Sequence, residues 1–200
     1  MNKMRLIDLI FEKKEDKGTY AAVRFSEETI DDIKKYIKDN NIPNHTKFDK
    51  MHTTLLYSRK HCPKYEPAGE YEEALEGNPD KFEKWPSQPD DDGNVAMCLV
   101  LRYHCPKLAK RHAMLMDEHN ATYDFDEYKP HITFSYDVGN LQCKDLPKYE
   151  GRIEIVEEYG EDLNLDWAKD NSDISDKDLS LIHISEPTRQ PATSRMPSSA

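Results

Sequence analysis

The chain predicts an α+β fold: two similar lobes, each an antiparallel sheet backed by a helix, facing each other across a central cleft. Three observations lead there. A strand, a helix and a histidine-bearing strand follow one another twice along the chain. The copies have nearly equal length, with Tyr20 standing 32 residues before His52 and Met97 standing 34 before His131. Both histidines open one pattern, His52-Thr53-Thr54 and His131-Ile132-Thr133, set in apolar runs that close on Ser58 and Ser135. A repeated order of elements at constant spacing marks an internal duplication.

Each element has its own local signature. Met1–Lys17 carries Leu6, Leu9 and Ile10 at helical spacing and predicts a short packing helix. Thr19–Phe25 alternates, with Tyr20, Ala22 and Arg24 on one face and Ala21, Val23 and Phe25 on the other. Ser26 is a natural N-cap for a helix running to Asn40, Glu27 and Glu28 suit its positive end, and Ile30, Ile33 and Ile37 form its buried stripe. Asn40-Asn41-Ile42-Pro43-Asn44 ends that helix, and Met51–Ser58 is the first histidine strand.

Cys62–Asn94 contains Pro63, Pro67, Pro79, Pro86 and Pro89, so it reads as a long irregular excursion, with a short strand at Lys81–Trp85. Asp90-Asp91-Asp92 lacks the spacing of a calcium loop and reads as a solvated turn. Val95–His104 predicts a strand and Pro106–Asn120 a helix with proline at its first position. Pro130 holds Lys129 extended as the chain enters the second histidine strand. Arg152–Tyr159 is a last strand, followed by the acidic segment that leads to Trp167. One domain over 1–178 results: a first lobe at 18–60, the excursion at 61–94 and a second lobe at 95–167.

Composition narrows the function. The 28 Lys and Arg against 39 Asp and Glu give a formal charge of −11, so the broad basic footprint of a long nucleic-acid partner is missing, while a local site for a small anion is compatible. Four cysteines at uneven spacing, no secretory leader and no apolar run of about 18 residues predict a reduced, soluble, intracellular protein with no membrane partner. His61-Cys62-Pro63-Lys64 and His104-Cys105-Pro106-Lys107 repeat as well, but neighbouring side chains on a strand point to opposite faces. The repeat therefore marks two strand exits, and neither a metal nor another cofactor is expected.

The double His-x-Thr carries the chemistry. At a period of two, His52 and Thr54 share one face of their strand, as His131 and Thr133 share one face of theirs. Two imidazoles and two hydroxyls then converge on one small anion such as a phosphate. One histidine takes a proton from an attacking hydroxyl, the other protonates the leaving oxygen, and Thr54 and Thr133 donate to the non-bridging oxygens. Which histidine plays which part is open at this stage. Tyr20 shares a sheet with the first histidine, and its ring is either an ordinary half-buried strand tyrosine or a stacking surface for a base. Glu127 is either a solvated loop carboxylate or an acceptor for a base edge, and Trp167 is either a lid on the core or a stacking plane.

The paired motifs His52-Thr53-Thr54 and His131-Ile132-Thr133 on duplicated halves resemble the 2H phosphoesterase superfamily. Gly18-Thr19-Tyr20, Lys129-Pro130-His131 and the Glu161–Trp167 segment resemble, within it, the phage anti-CBASS nucleases, over roughly Gly18 to Trp167. That resemblance implies metal-independent hydrolysis of a cyclic di- or trinucleotide substrate, such as 3′,3′-cyclic GMP–AMP, in the cytoplasm of an infected bacterium. It implies that His52, Thr54, His131 and Thr133 are catalytic and that Tyr20, Glu127, Glu161 and Trp167 contact the nucleotide. A different 2H activity on RNA ends or 2′,3′-cyclic phosphates, and a non-catalytic sponge for cyclic nucleotides, are the alternatives. Leu179–Gln190 resembles a translated sequencing-library adapter and Ser194–Ala200 its continuation, so 179–200 is set aside from the fold.

Overall fold

A computed structural model describes residues 18–87, 93–125 and 127–163. The expected helix in Met1–Lys17, the Asp90–Asp92 run, Trp167 and the segment 179–200 lie outside the described residues. The elements are β1 (Thr19–Phe25), α1 (Glu27–Asp39), β2 (Thr53–Ser58), β3 (Gly69–Pro86), β4 (Met97–His104), α2 (Pro106–His119), β5 (His131–Ser135) and β6 (Ile153–Asp162). The class is α+β, with one six-stranded antiparallel sheet in the order β2-β1-β6-β3-β4-β5.

Alternation holds through most of β5 and the start of β2, and breaks where Leu55 and Leu56, and Ala21 to Val23, are buried in succession. In β5, Ile132 and Phe134 are buried while His131 and Thr133 reach the surface; in β2, Leu55 is buried and Thr54 is half-buried. The apolar face carries the core, in which Leu55, Leu99, Ile132, Phe134 and Ile155 are fully enclosed. The opposite face is left for polar work.

Both helices begin as their sequences predict. The Ser26 hydroxyl accepts from the Thr29 amide at 3.2 Å and donates to Glu154 at 2.9 Å, which ties the start of α1 to β6. Ile33 and Ile37 are buried and Ile30 packs against the core. Pro106 opens α2, and Asn120 closes it in the left-handed conformation, φ 46° and ψ 46°.

One expectation is corrected. The region Cys62–Asn94 is not a wholly irregular excursion: it contains β3, at 18 residues the longest strand, and the expected Lys81–Trp85 strand is only its last part. Its Glu-, Gly- and Pro-containing sequence has poor strand preference. Pairing decides it instead: Gly69–Gly77 is bonded to β6 and Asn78–Pro86 to β4, with breaks in register around Pro79 that tolerate the missing amide. The two strand–helix–strand halves meet in one strand order. β3 joins them, Tyr36 of α1 reaches over to stack on Phe82 of β3 at 5.3 Å, and α2 packs against β2, where His112 Nδ1 donates to the Leu55 carbonyl at 2.7 Å.

Candidate active site

His52 immediately precedes β2 and His131 opens β5; these strands stand at opposite ends of the strand order, and the sheet curls until they meet. Thr53 Oγ1 donates across the seam to the His131 carbonyl at 2.6 Å. This brings His52 and His131 within electrostatic reach of each other, and Tyr20 links His52 to Thr54. Thr46, before β2, donates to the Thr133 carbonyl at 2.8 Å and holds that strand from the other side.

Both imidazoles are held alike. His52 Nδ1 lies 2.8 Å from the Lys50 carbonyl, and His131 Nδ1 lies 2.8 Å from the Lys129 carbonyl. A carbonyl only accepts, so each Nδ1 carries a proton, and in the neutral ring each Nε2 keeps its lone pair. Burial pushes the His52 pKa below that of an ordinary histidine, while the Lys50 carbonyl and the Glu161 carboxylate pull it back up. Burial also lowers His131; the Lys129 carbonyl opposes this, and the charges of His52 and Arg102 add to the lowering. The two rings are therefore electrostatically coupled but unequally surrounded.

Tyr20, on β1, presents its ring edge to His52 with centroids 6.2 Å apart, and its hydroxyl is 3.0 Å from Thr54 Oγ1. Burial raises the Tyr20 pKa, so the phenol stays protonated. Glu161 lies opposite Tyr20 on β6 and is exposed, on the same face as His52. Its neighbours have other duties. Glu157 pairs with Arg24 at 2.8 Å, and Glu158 is buried with Arg111, Tyr65 and Tyr71. Glu127 is exposed, pairs with Lys129 at 3.5 Å and lines an open groove along α2 with His112, Tyr123 and Phe125, so it is not gathered with the imidazoles. Trp167 lies outside the described residues.

Sequence reasoning missed a second set of residues. Trp85 tilts over His131 with ring centroids 4.5 Å apart, and its Nε1 donates to Glu83 at 2.8 Å. Arg102 is the register partner of His131 on β4 and bonds Glu83 at 3.3 Å, with Nε buried and unbonded. Burial would raise the Glu83 carboxyl, but bonds from Lys81, Trp85 and Arg102 outweigh it and hold it at about 2. Tyr128 donates to the Thr54 carbonyl at 3.0 Å. Alternation in Lys81–Trp85 was the one available signal, because it puts Glu83 and Trp85 on one face.

The His61/Cys62 and His104/Cys105 pairs diverge as strand exits should, with both cysteines buried and both histidines exposed. Among the described residues no helix is long and apolar enough to cross a membrane.

Comparison with known proteins shows the family of the chain. The family model described as anti-CBASS protein Acb1 matches residues 17–170. The chain belongs to the Acb1 family. It is 38% identical over 157 residues to the anti-CBASS protein Acb1 of Enterobacteria phage T4, covering 76% of this chain and 93% of that one. The Acb1 proteins of Salmonella phage S16 and Yersinia phage phiR1-RT are 33% and 35% identical over 153 residues each, with the same coverage of 76% and 93%. The Acb1 match contains both His-x-Thr motifs, Tyr20, Glu127, Glu161 and Trp167.

Proposed function

We propose that this protein is a metal-independent phosphodiesterase that linearises cyclic di- and trinucleotides, 3′,3′-cyclic GMP–AMP among them, and so counters CBASS defence in the cytoplasm of an infected bacterium. Its membership of the Acb1 family supports the biological role. The strand–helix–histidine-strand order, repeated on either side of β3, supports descent from the bilobal 2H phosphoesterases. The observation that carries the chemistry is the matched pair of imidazoles, each tied back through Nδ1 to the carbonyl two residues earlier. Each Nε2 is then available on the face that also bears Thr54 and Thr133.

In a 3′–5′ linkage the adjacent ribose 2′-hydroxyl attacks phosphorus. One imidazole removes its proton, the bond from O2′ to phosphorus forms, the bond from phosphorus to O5′ breaks, and the other imidazole protonates O5′. A 2′,3′-cyclic phosphate results. Thr54 and Thr133 donate to the non-bridging oxygens as charge builds, and Tyr20 sets the rotamer of Thr54. Arg102 beside His131 and Glu161 beside His52 favour His131 as the neutral base and His52 as the protonated acid. Tyr20, Glu127, Glu161 and Trp167 serve the nucleotide.

The test is incubation of the protein with 3′,3′-cyclic GMP–AMP in excess EDTA, followed by chromatography, alongside His52→Ala and His131→Ala. Linearisation that both substitutions abolish is the expected result. Tight binding without turnover would instead indicate a sponge, and no interaction would point to RNA ends or 2′,3′-cyclic phosphates. Undiminished cleavage of a 2′-deoxy substrate would overturn the cyclic-phosphate route.

A further inference from the structure

Two catalytic groups on the two outermost strands of a sheet have no ladder of backbone bonds between them. Something else must set their spacing. Among the described residues, the direct polar tie from β2 to β5 is the hydroxyl of Thr53, the middle residue of the first motif, which donates to the His131 carbonyl at 2.6 Å. Since that carbonyl only accepts, the Thr53 oxygen is left to accept from Tyr103, whose hydroxyl lies 2.9 Å away. The direction of the whole chain is thus set: Tyr103 to Thr53 to His131.

The surroundings are built around it. Thr53 is completely enclosed and Tyr103 is 2% exposed. The Tyr103 ring lies against Gly77 of β3, where even a Cβ would come within 2.7 Å of it. Burial raises the Tyr103 pKa and keeps the phenol a donor. The second motif has Ile132 where the first has Thr53, so the tie runs one way and is not part of the shared His-x-Thr pattern.

We propose that Thr53, braced by Tyr103, is a positioning residue: a buried strut that sets the separation of the His52 and His131 imidazoles. Reacting groups lose about 100-fold in rate when displaced by about 1 Å. The ladder does not join β2 to β5; the His45–Ser135 bridge, the Thr46 bonds to β5 and the Tyr128 bond to the Thr54 carbonyl hold the seam on either side, and Thr53 acts between them, at the His131 peptide itself.

Thr53→Val keeps shape and removes the hydroxyl. With 3′,3′-cyclic GMP–AMP as substrate, kcat falls about 10- to 100-fold and KM changes less than about 3-fold, because orientation rather than binding is lost. Thr53→Ser restores most of kcat. By NMR titration of the imidazoles, the His131 pKa of Thr53→Val moves up, since it is lowered in part by the charge on His52. If Thr53→Val does not fold, Tyr103→Phe removes the brace alone and lowers kcat about 3- to 10-fold. A folded Thr53→Val with unchanged kcat and unchanged histidine titrations overturns the strut, as does a loss that serine does not rescue. The kinetic arm rests on the phosphodiesterase reading, whereas the titration arm needs no substrate. A wild-type protein that cleaves nothing would thus sink the proposed function and leave the strut to be decided by NMR.

Discussion

Replacing Arg111 by methionine tests whether Glu158 is a structural group rather than a nucleotide contact. Arg111 gives the carboxylate two bonds, Nε to Oε2 at 3.0 Å and Nη2 to Oε1 at 2.9 Å, and Tyr65 and Tyr71 add one each at 3.1 and 3.0 Å. The Glu158 side chain is 0% exposed and that of Arg111 26%. Solvent screening is therefore weak, and two charge-assisted bonds are worth about 1.5–3 kcal/mol each. Breaking a buried pair from one side costs about 3–5 kcal/mol. Since methionine retains much of the packing, about 3–5 kcal/mol is the expected loss in urea unfolding near pH 8.

The sign with pH follows from linkage. In the wild type, burial raises the Glu158 pKa but the Arg111 and tyrosine bonds outweigh it, so the folded value is depressed. Its stabilisation is present above the unfolded carboxylate value of about 4.3 and is lost as pH falls through the folded pKa. Without Arg111 the burial effect dominates, the folded value lies above the unfolded one, and the mutant loses stability as pH rises. The difference between the two proteins therefore grows from pH 5 to pH 8. A loss below about 1 kcal/mol, or one independent of pH, would refute the account of Glu158 as a buried, cation-dependent staple.

Further outcomes are expected at the site. His52→Ala and His131→Ala each lower kcat by about 100- to 10,000-fold, and the double variant loses much less than the product of the two, which single-turnover kinetics would show. Because burial lowers both imidazoles, the limbs of the kcat/KM profile lie below the ordinary histidine value of about 6.5. Glu161→Gln removes a carboxylate that holds the His52 pKa up, so the alkaline limb moves to lower pH; a shift of the acid limb instead would reverse the assignment of acid and base. Tyr20→Phe frees Thr54 Oγ1 from its 3.0 Å partner and lowers kcat about 3- to 10-fold, measured with the same substrate.

Local patterns carried much of this molecule. Period-two alternation separates the buried Leu55, Ile132 and Phe134 from the less buried Thr54, His131 and Thr133, although Leu56, Ser58 and Ser135 are buried against that pattern or at its ends. Ser26, Pro106 and Asn120 mark helix ends through bonds and dihedrals that need only neighbours in sequence. The acidic run that carries Glu157, Glu158 and Glu161 does not by itself tell these carboxylates apart, and the fold does. Glu157 and Glu158 are engaged by Arg24 and Arg111, residues more than a hundred and nearly fifty positions away.

What the sequence by itself determined, among the described residues, is therefore the two helices, the strands other than β3, and the two histidine–threonine pairs, since all of these depend on residues a few positions apart. Tertiary structure alone decided that Gly69–Pro86 is a strand, because its bonds come from β6 and β4 rather than from its own weak preference. It also decided that Trp85 and Arg102 flank His131 and that Glu127 faces the α2 groove. Above all it decided what holds the imidazoles at a working distance: strands at opposite ends of a sheet meet only once the sheet curls, and the Thr53 hydroxyl acquires its partners only at that closure.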